Sequence, residues 1–202
     1  MLNPLNSMRG TVLAGLTLAL FIAAVATPAI AGPAIPALLI WAHVIAGVAW
    51  VGLLYYFNFV QVPALAAAAA DTDGPGGEAI NRYVTPRALA WFRWAAIATW
   101  VTGAGYLAWH QNLGAFALGL LGDSIDPYQL TIGIGVWLGT LMLFNVWLVI
   151  WPNQKKVLGL TPASADEVAS AKRTAFLASR TNVVLSIPML MSMVGAGHGF
   201  FL

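Results

Sequence analysis

Between Trp41 and Pro63 the chain reads WAHVIAGVAWVGLLYYFNFVQVP, an apolar run with one histidine and no Lys, Arg, Asp or Glu. A helix rises ~1.5 Å per residue, so about 20 such residues cross the ~30 Å hydrocarbon core of a bilayer. His43 then lies inside the membrane. An ionisable side chain there is costly unless it faces protein, water or a metal centre, which makes His43 a candidate site residue. The alternative is a histidine bonded to a neighbouring helix for structure alone.

The rest of the chain fits a membrane setting. Hydrophobic residues make up 60% of its 202 residues and charged residues 8%, against roughly 25% charged in an average soluble domain. The expected fold is all-α integral membrane, and the length leaves room for one membrane domain. A net charge of +2 is spread over separate short loops, so no basic patch for nucleic acid is present. Cysteine is absent, which excludes disulfides, iron–sulfur clusters and covalently attached c-type haem. Any haem would have to be held non-covalently.

Residues 1–34 carry Arg9 ahead of an apolar run and then AIAGPA, the layout of a signal peptide with Ala29 and Ala31 at the cleavage positions, or equally a first transmembrane helix. Residues 35–202 supply four further runs, about 35–60, 88–109, 130–151 and 175–202. The glycine- and proline-rich stretch 61–87 is expected as a solvated loop. LGAFALGLL suits a short interfacial helix, SADEVASAKR a separate short helix, and Pro188 a kink. With this topology all nine basic residues fall on one side, and the positive-inside rule makes that side cytoplasmic. The chain is thus expected as a multi-pass membrane protein with its C-terminus outside.

W-x-G-x-L-x-x-F-N occurs twice, at Trp50–Asn58 and Trp137–Asn145, displaced by 87 residues, and Arg93 and Arg180 keep the same offset. This register suggests a four-helix core built from a tandem helical-hairpin repeat. Asn58, Arg93, Asn145, Arg180 and Asn182 all fall toward the inner end. They form either a structural polar cluster with snorkelling arginines or a site for an anion such as a carboxylate or urate-like molecule. His43, His110 and His198 all fall in the outer half. Histidines at similar depth on different helices of a bundle can ligate a b-type haem, with Trp41, Trp50, Tyr106 and Trp109 near enough to line it. The alternative leaves His110 and His198 as interfacial side chains.

WAHVIAGVAWVG, GTLMLFNVWLVIWPNQKK and SRTNVVLSIPMLMSMVGAGH resemble the membrane domain of bacterial membrane-bound urate hydroxylases, the urate oxidase N-terminal family. More distantly, a histidine followed by W-x-G is similar to haem-binding membrane proteins of the protoporphyrinogen oxidase type. The resemblance implies a polytopic domain tied to purine catabolism, often followed by a cytochrome c domain that accepts electrons. It carries His43, Asn145, Asn182 and His198 over as the positions of interest. The chain looks like a short form without the cytochrome c domain, so electrons would pass to a separate carrier. The leading expectation is therefore a urate hydroxylase-type oxidoreductase with haem b held by His43 and His198. A non-catalytic subunit of a larger respiratory or photosynthetic complex, and a small purine-anion transporter, are the alternatives.

Overall fold

The computed structural model describes residues 3–26 and 35–199. Among them there are helices and connecting turns but no strand. They fall into two units, residues 1–34 and residues 35–202. In the first, a short 3-10 turn at Pro4–Asn6 leads into α1 (Met8–Ala26). Ser7 Oγ accepts from the Gly10 N–H at 3.1 Å, satisfying one of the free donors at the helix start. The AIAGPA segment that would decide between signal peptide and anchor lies outside the described residues.

The second unit consists of α2 (Ile35–Tyr55), α3 (Val62–Ala70), α4 (Thr85–Trp109), α5 (Pro127–Phe144), α6 (Trp151–Val157) and α7 (Ala165–His198). Four helical stretches among the described residues are long and apolar enough to cross a membrane: Met8–Val25, Ile35–Ala70, Pro127–Val157 and Ala165–His198. α4 is also of spanning length, but four tryptophans, Arg87 and Arg93 lower its hydropathy. Cross-helix contacts show that it runs antiparallel beside α2. His43 meets Thr99 near one end, Phe57 meets Phe92 in between, and Gln61 meets Thr85 near the other. α5 and α7 form a second antiparallel pair, joined at Asn145–Asn182 and by close approach of Gly135 to Ser192. One end of this unit therefore carries Arg82, Arg87, Lys155, Lys156, Lys172 and Arg173, and the opposite end carries the histidines.

Two expectations change here. The alanine tract belongs to a helix that continues without a break from Ile35 to Ala70, so the solvated turn shrinks to residues 71–77. Alanine is the best helix former, and Pro63 sits at the start of α3, where its missing N–H costs little. SADEVASAKR is likewise the first turns of α7, which continues through Pro188. Ser164 starts it as a capping box. Its Oγ accepts from the Glu167 N–H, and its own N–H donates to the Glu167 carboxylate at 2.8 Å. Ser164→Ala should lower unfolding free energy by about 1 kcal/mol in detergent. An unchanged denaturation midpoint would mean that these first turns add nothing to stability.

Among the described residues three π-helical turns are set into the helices, at Tyr56–Gln61, Ile80–Val84 and Asn145–Ile150. Each closes one residue before a proline. The N–H of Val62 bonds Phe57 O, that of Thr85 bonds Ile80 O, and that of Trp151 bonds Val146 O, and Pro63, Pro86 and Pro152 follow. Proline cannot donate to the carbonyl four residues back, and its ring crowds that carbonyl. A turn one residue wider accommodates the ring while the helix continues. All three turns lie toward the basic end.

Lipid offers little hydrophobic drive for helix association, so packing and interhelical hydrogen bonds must supply it. The interfaces accordingly use small residues, with Ala95, Ala96, Ala171, Ala175, Ala178, Gly133 and Gly135 buried. Larger side chains fill the centre, among them Leu54, Phe92, Met142 and Val146, and Phe57 meets Phe92 edge to face at 5.6 Å. Trp100 Nε1 donates to Thr140 Oγ1 at 2.8 Å, tying α4 to α5. Tyr55 Oη donates to Ser186 Oγ at 3.0 Å, tying α2 to α7.

Candidate functional site

The basic end holds a part-open cavity of about 440 Å³, within the ~300–1,000 Å³ typical of small-molecule pockets. Its wall takes Phe57, Asn58 and Gln61 from the first π turn, Asn81 from the second and Ile150 from the third, with Thr85, Gln154, Lys172 and Ser179 beside them. The wide turns bring these polar side chains to one place, consistent with the frequent occurrence of π turns at functional sites. Asn58 Nδ2 donates to Leu54 O and to Ser179 Oγ, both at 2.8 Å. Both of its donor hydrogens are thereby used. The amide is fixed in orientation, and Oδ1 is left as an acceptor.

Gln61 is buried, and its Nε2 donates to Thr85 Oγ1 at 2.8 Å. Thr85 passes its own hydrogen to Ile80 O. Gln61 Oε1 is buried without a hydrogen-bond partner. An unpaired buried acceptor costs roughly 1–3 kcal/mol, so a donor supplied by a ligand would recover that energy. Among the described residues Lys172 is the one charged group lining the cavity, and no carboxylate lines it. Two amide acceptors with one cation suit a polar ring that carries N–H donors and a negative charge.

The polar cluster expected from the sequence is divided. Asn145 Nδ2 donates to Ala178 O and Asn182 Oδ1, both at 2.8 Å, and Asn182 Nδ2 donates to Met142 O at 3.1 Å. These two join α5 to α7 inside the core. Arg180 is exposed over the Phe176 ring at 5.1 Å, and Arg93 stacks on Trp151 at 3.4 Å. Neither arginine lines the cavity. Among the five expected residues Asn58 alone does so. Gln61, Lys172, Ser179, Thr85, Asn81 and Gln154 were missed as site residues; the sequence signal was a glutamine three residues after Asn58 in an otherwise apolar run.

At the opposite end the histidines remain separate. The Nδ1–H of His43 donates to Thr99 O at 2.7 Å, which fixes the tautomer and leaves Nε2 as the basic nitrogen, the usual preparation of a metal-ligating histidine. Gly103 makes room for the ring, since a Cβ there would lie 2.7 Å from Cε1. His198 Nδ1 donates to Val194 O in its own helix, and His110 packs against the Tyr106 ring. Among the described residues no three His, Cys, Asp or Glu side chains form a metal-binding group. The cavity beside His43 holds about 50 Å³ and is lined by Trp50, Trp100, Phe116, Met189 and Met193, with neither His110 nor His198. Trp50 is the member of the expected aromatic set that lines it. His43 thus fits an axial haem ligand, while the enclosed volume is too small for a macrocycle.

No curated protein and no solved structure matches the chain. The family model described as urate oxidase N-terminal matches residues 33–120 and 128–201, most of the chain and both helix pairs. With the cavity, the paired helices and the motifs all inside the matched residues, the chain belongs to the urate oxidase N-terminal family.

Proposed function

We propose that this chain is the membrane domain of a urate hydroxylase-type oxidoreductase and that urate, as its monoanion, binds in the cavity at the basic end. The observation that carries this reading is the pairing of Gln61 Oε1, buried without a donor, with Lys172 on a wall free of carboxylates. Ring N–H groups of a urate-like lactam meet the amide oxygens of Asn58 and Gln61, and its negative charge meets Lys172. Apolar Phe57, Leu89 and Phe92 offer the ring a packing surface. Hydroxylation adds the oxygen of one water to a ring carbon and releases two electrons and two protons, so an electron acceptor is required.

His43 is the residue that would hold a b-type haem, but the space beside it is too small for a macrocycle, so the electrons would pass to a separate carrier. Membranes containing the chain, given urate and ferricyanide, should consume urate and reduce about two ferricyanide per urate. An absorption spectrum of the purified protein tests haem separately: a Soret band that His43→Ala abolishes would mean that the helices part around His43 to admit a macrocycle. Urate consumption equal to that of membranes lacking the chain would overturn the oxidoreductase reading. A featureless spectrum from protein expressed with ample haem would remove His43 as a haem ligand.

A further inference from the structure

Arg93 stands apart from the urate cavity and has no partner that accounts for its charge. Its guanidinium stacks on Trp151 with Cζ 3.4 Å from the ring centroid and lies 5.9 Å from the Trp147 ring. Arg93 Nε and Trp147 Nε1 are both buried with no acceptor. Lys155 Nζ lies 5.9 Å from the same Trp151 ring, so two cations flank one indole. Among the described residues the one ion pair is Lys156–Glu167 at 3.8 Å, and neither Arg93 nor Lys155 takes part in it.

Every polar side chain in this group is a donor, and indole, guanidinium and ammonium offer no acceptor. Two like charges held near one ring repel unless an anion joins them. The group joins α4 to α6 near the basic end, at the level where tryptophans mark a membrane interface. Trp94 is exposed next to this group, its ring meeting Trp147 edge to face at 5.6 Å. An acceptor-only anion located at that level in a bilayer is the phosphate of a phospholipid. Basic pockets between membrane helices bind anionic headgroups by this chemistry.

We propose that Arg93 and Lys155 form a binding site for an anionic phospholipid, with the phosphate within reach of both cations and an acyl chain along Trp94. The site is independent of the urate reading. Its test is native mass spectrometry of protein taken from nanodiscs of equal phosphatidylglycerol and phosphatidylcholine. Wild-type protein should retain phosphatidylglycerol in preference to phosphatidylcholine. Arg93→Gln/Lys155→Gln should lower that retention at least fivefold, and Lys156→Gln should leave it unchanged. Lys155→Gln alone should reduce it severalfold, which keeps the test decisive if Arg93→Gln fails to fold. Equal retention of the two lipids, or a double variant that retains as much as wild type, would overturn the proposal. So would displacement of the lipid by 10 mM inorganic phosphate.

Discussion

Gln61→Leu should weaken urate binding by about tenfold or more while leaving the helices intact. The wild-type glutamine holds a buried acceptor with no partner, and a ligand N–H that pairs with it gains roughly 1–3 kcal/mol over the unpaired state. Leucine has similar volume but neither accepts nor needs a donor. Loss of the bond to Thr85 is a smaller effect, because Thr85 keeps its own bond to Ile80 O. Lys172→Gln should weaken binding by about fivefold, a smaller effect because its ammonium is exposed and screened. Equilibrium dialysis with labelled urate reads both variants. Wild-type affinity in Gln61→Leu would exclude this amide from the site.

Gly133→Ala should be the most damaging single methyl group in the membrane unit. A Cβ at Gly133 would overlap the backbone carbonyl of Ala115 in the 3-10 turn Leu113–Ala117, and backbone cannot move aside as the end of a side chain can. Overpacking of this kind costs typically 1–3 kcal/mol, and the upper part of that range is expected here because Ala115 is fully buried. Gly139 lies in the same helix with open space where its Cβ would stand. Gly139→Ala should therefore be neutral or stabilising by up to about 1 kcal/mol, as in a helix interior. Thermal unfolding of the two variants in detergent should separate them by several degrees, with Gly133→Ala well below wild type and Gly139→Ala at or above it. Equal midpoints would contradict the packing of α5 against this turn.

Hydropathy made the helices legible, because uninterrupted apolar runs have few alternatives in a bilayer. Boundaries were less so. Proline and glycine between residues 61 and 87 suggested a long loop, yet Pro63 and Pro86 sit at helix starts after π turns. The choice of a wider turn depends on what packs outside it, and that information is not local. Counting along the runs put Asn145 and Asn182 toward the inner end together, but the bond that joins them was not legible in the sequence. The stacking of Arg93 was not legible either, because its partner Trp151 is 58 residues away and belongs to another helix pair. The cavity was least legible of all. Its wall is assembled from several separate segments, most of whose polar residues are unremarkable one at a time.

The most direct test of the urate reading is a structure of the protein in nanodiscs with saturating urate. The account predicts one urate in the basic-end cavity, with a ring N–H within hydrogen-bond distance of Gln61 Oε1 or Asn58 Oδ1 and its negative charge toward Lys172. Urate in the cavity beside His43, or an empty basic-end cavity at saturating urate, would contradict it.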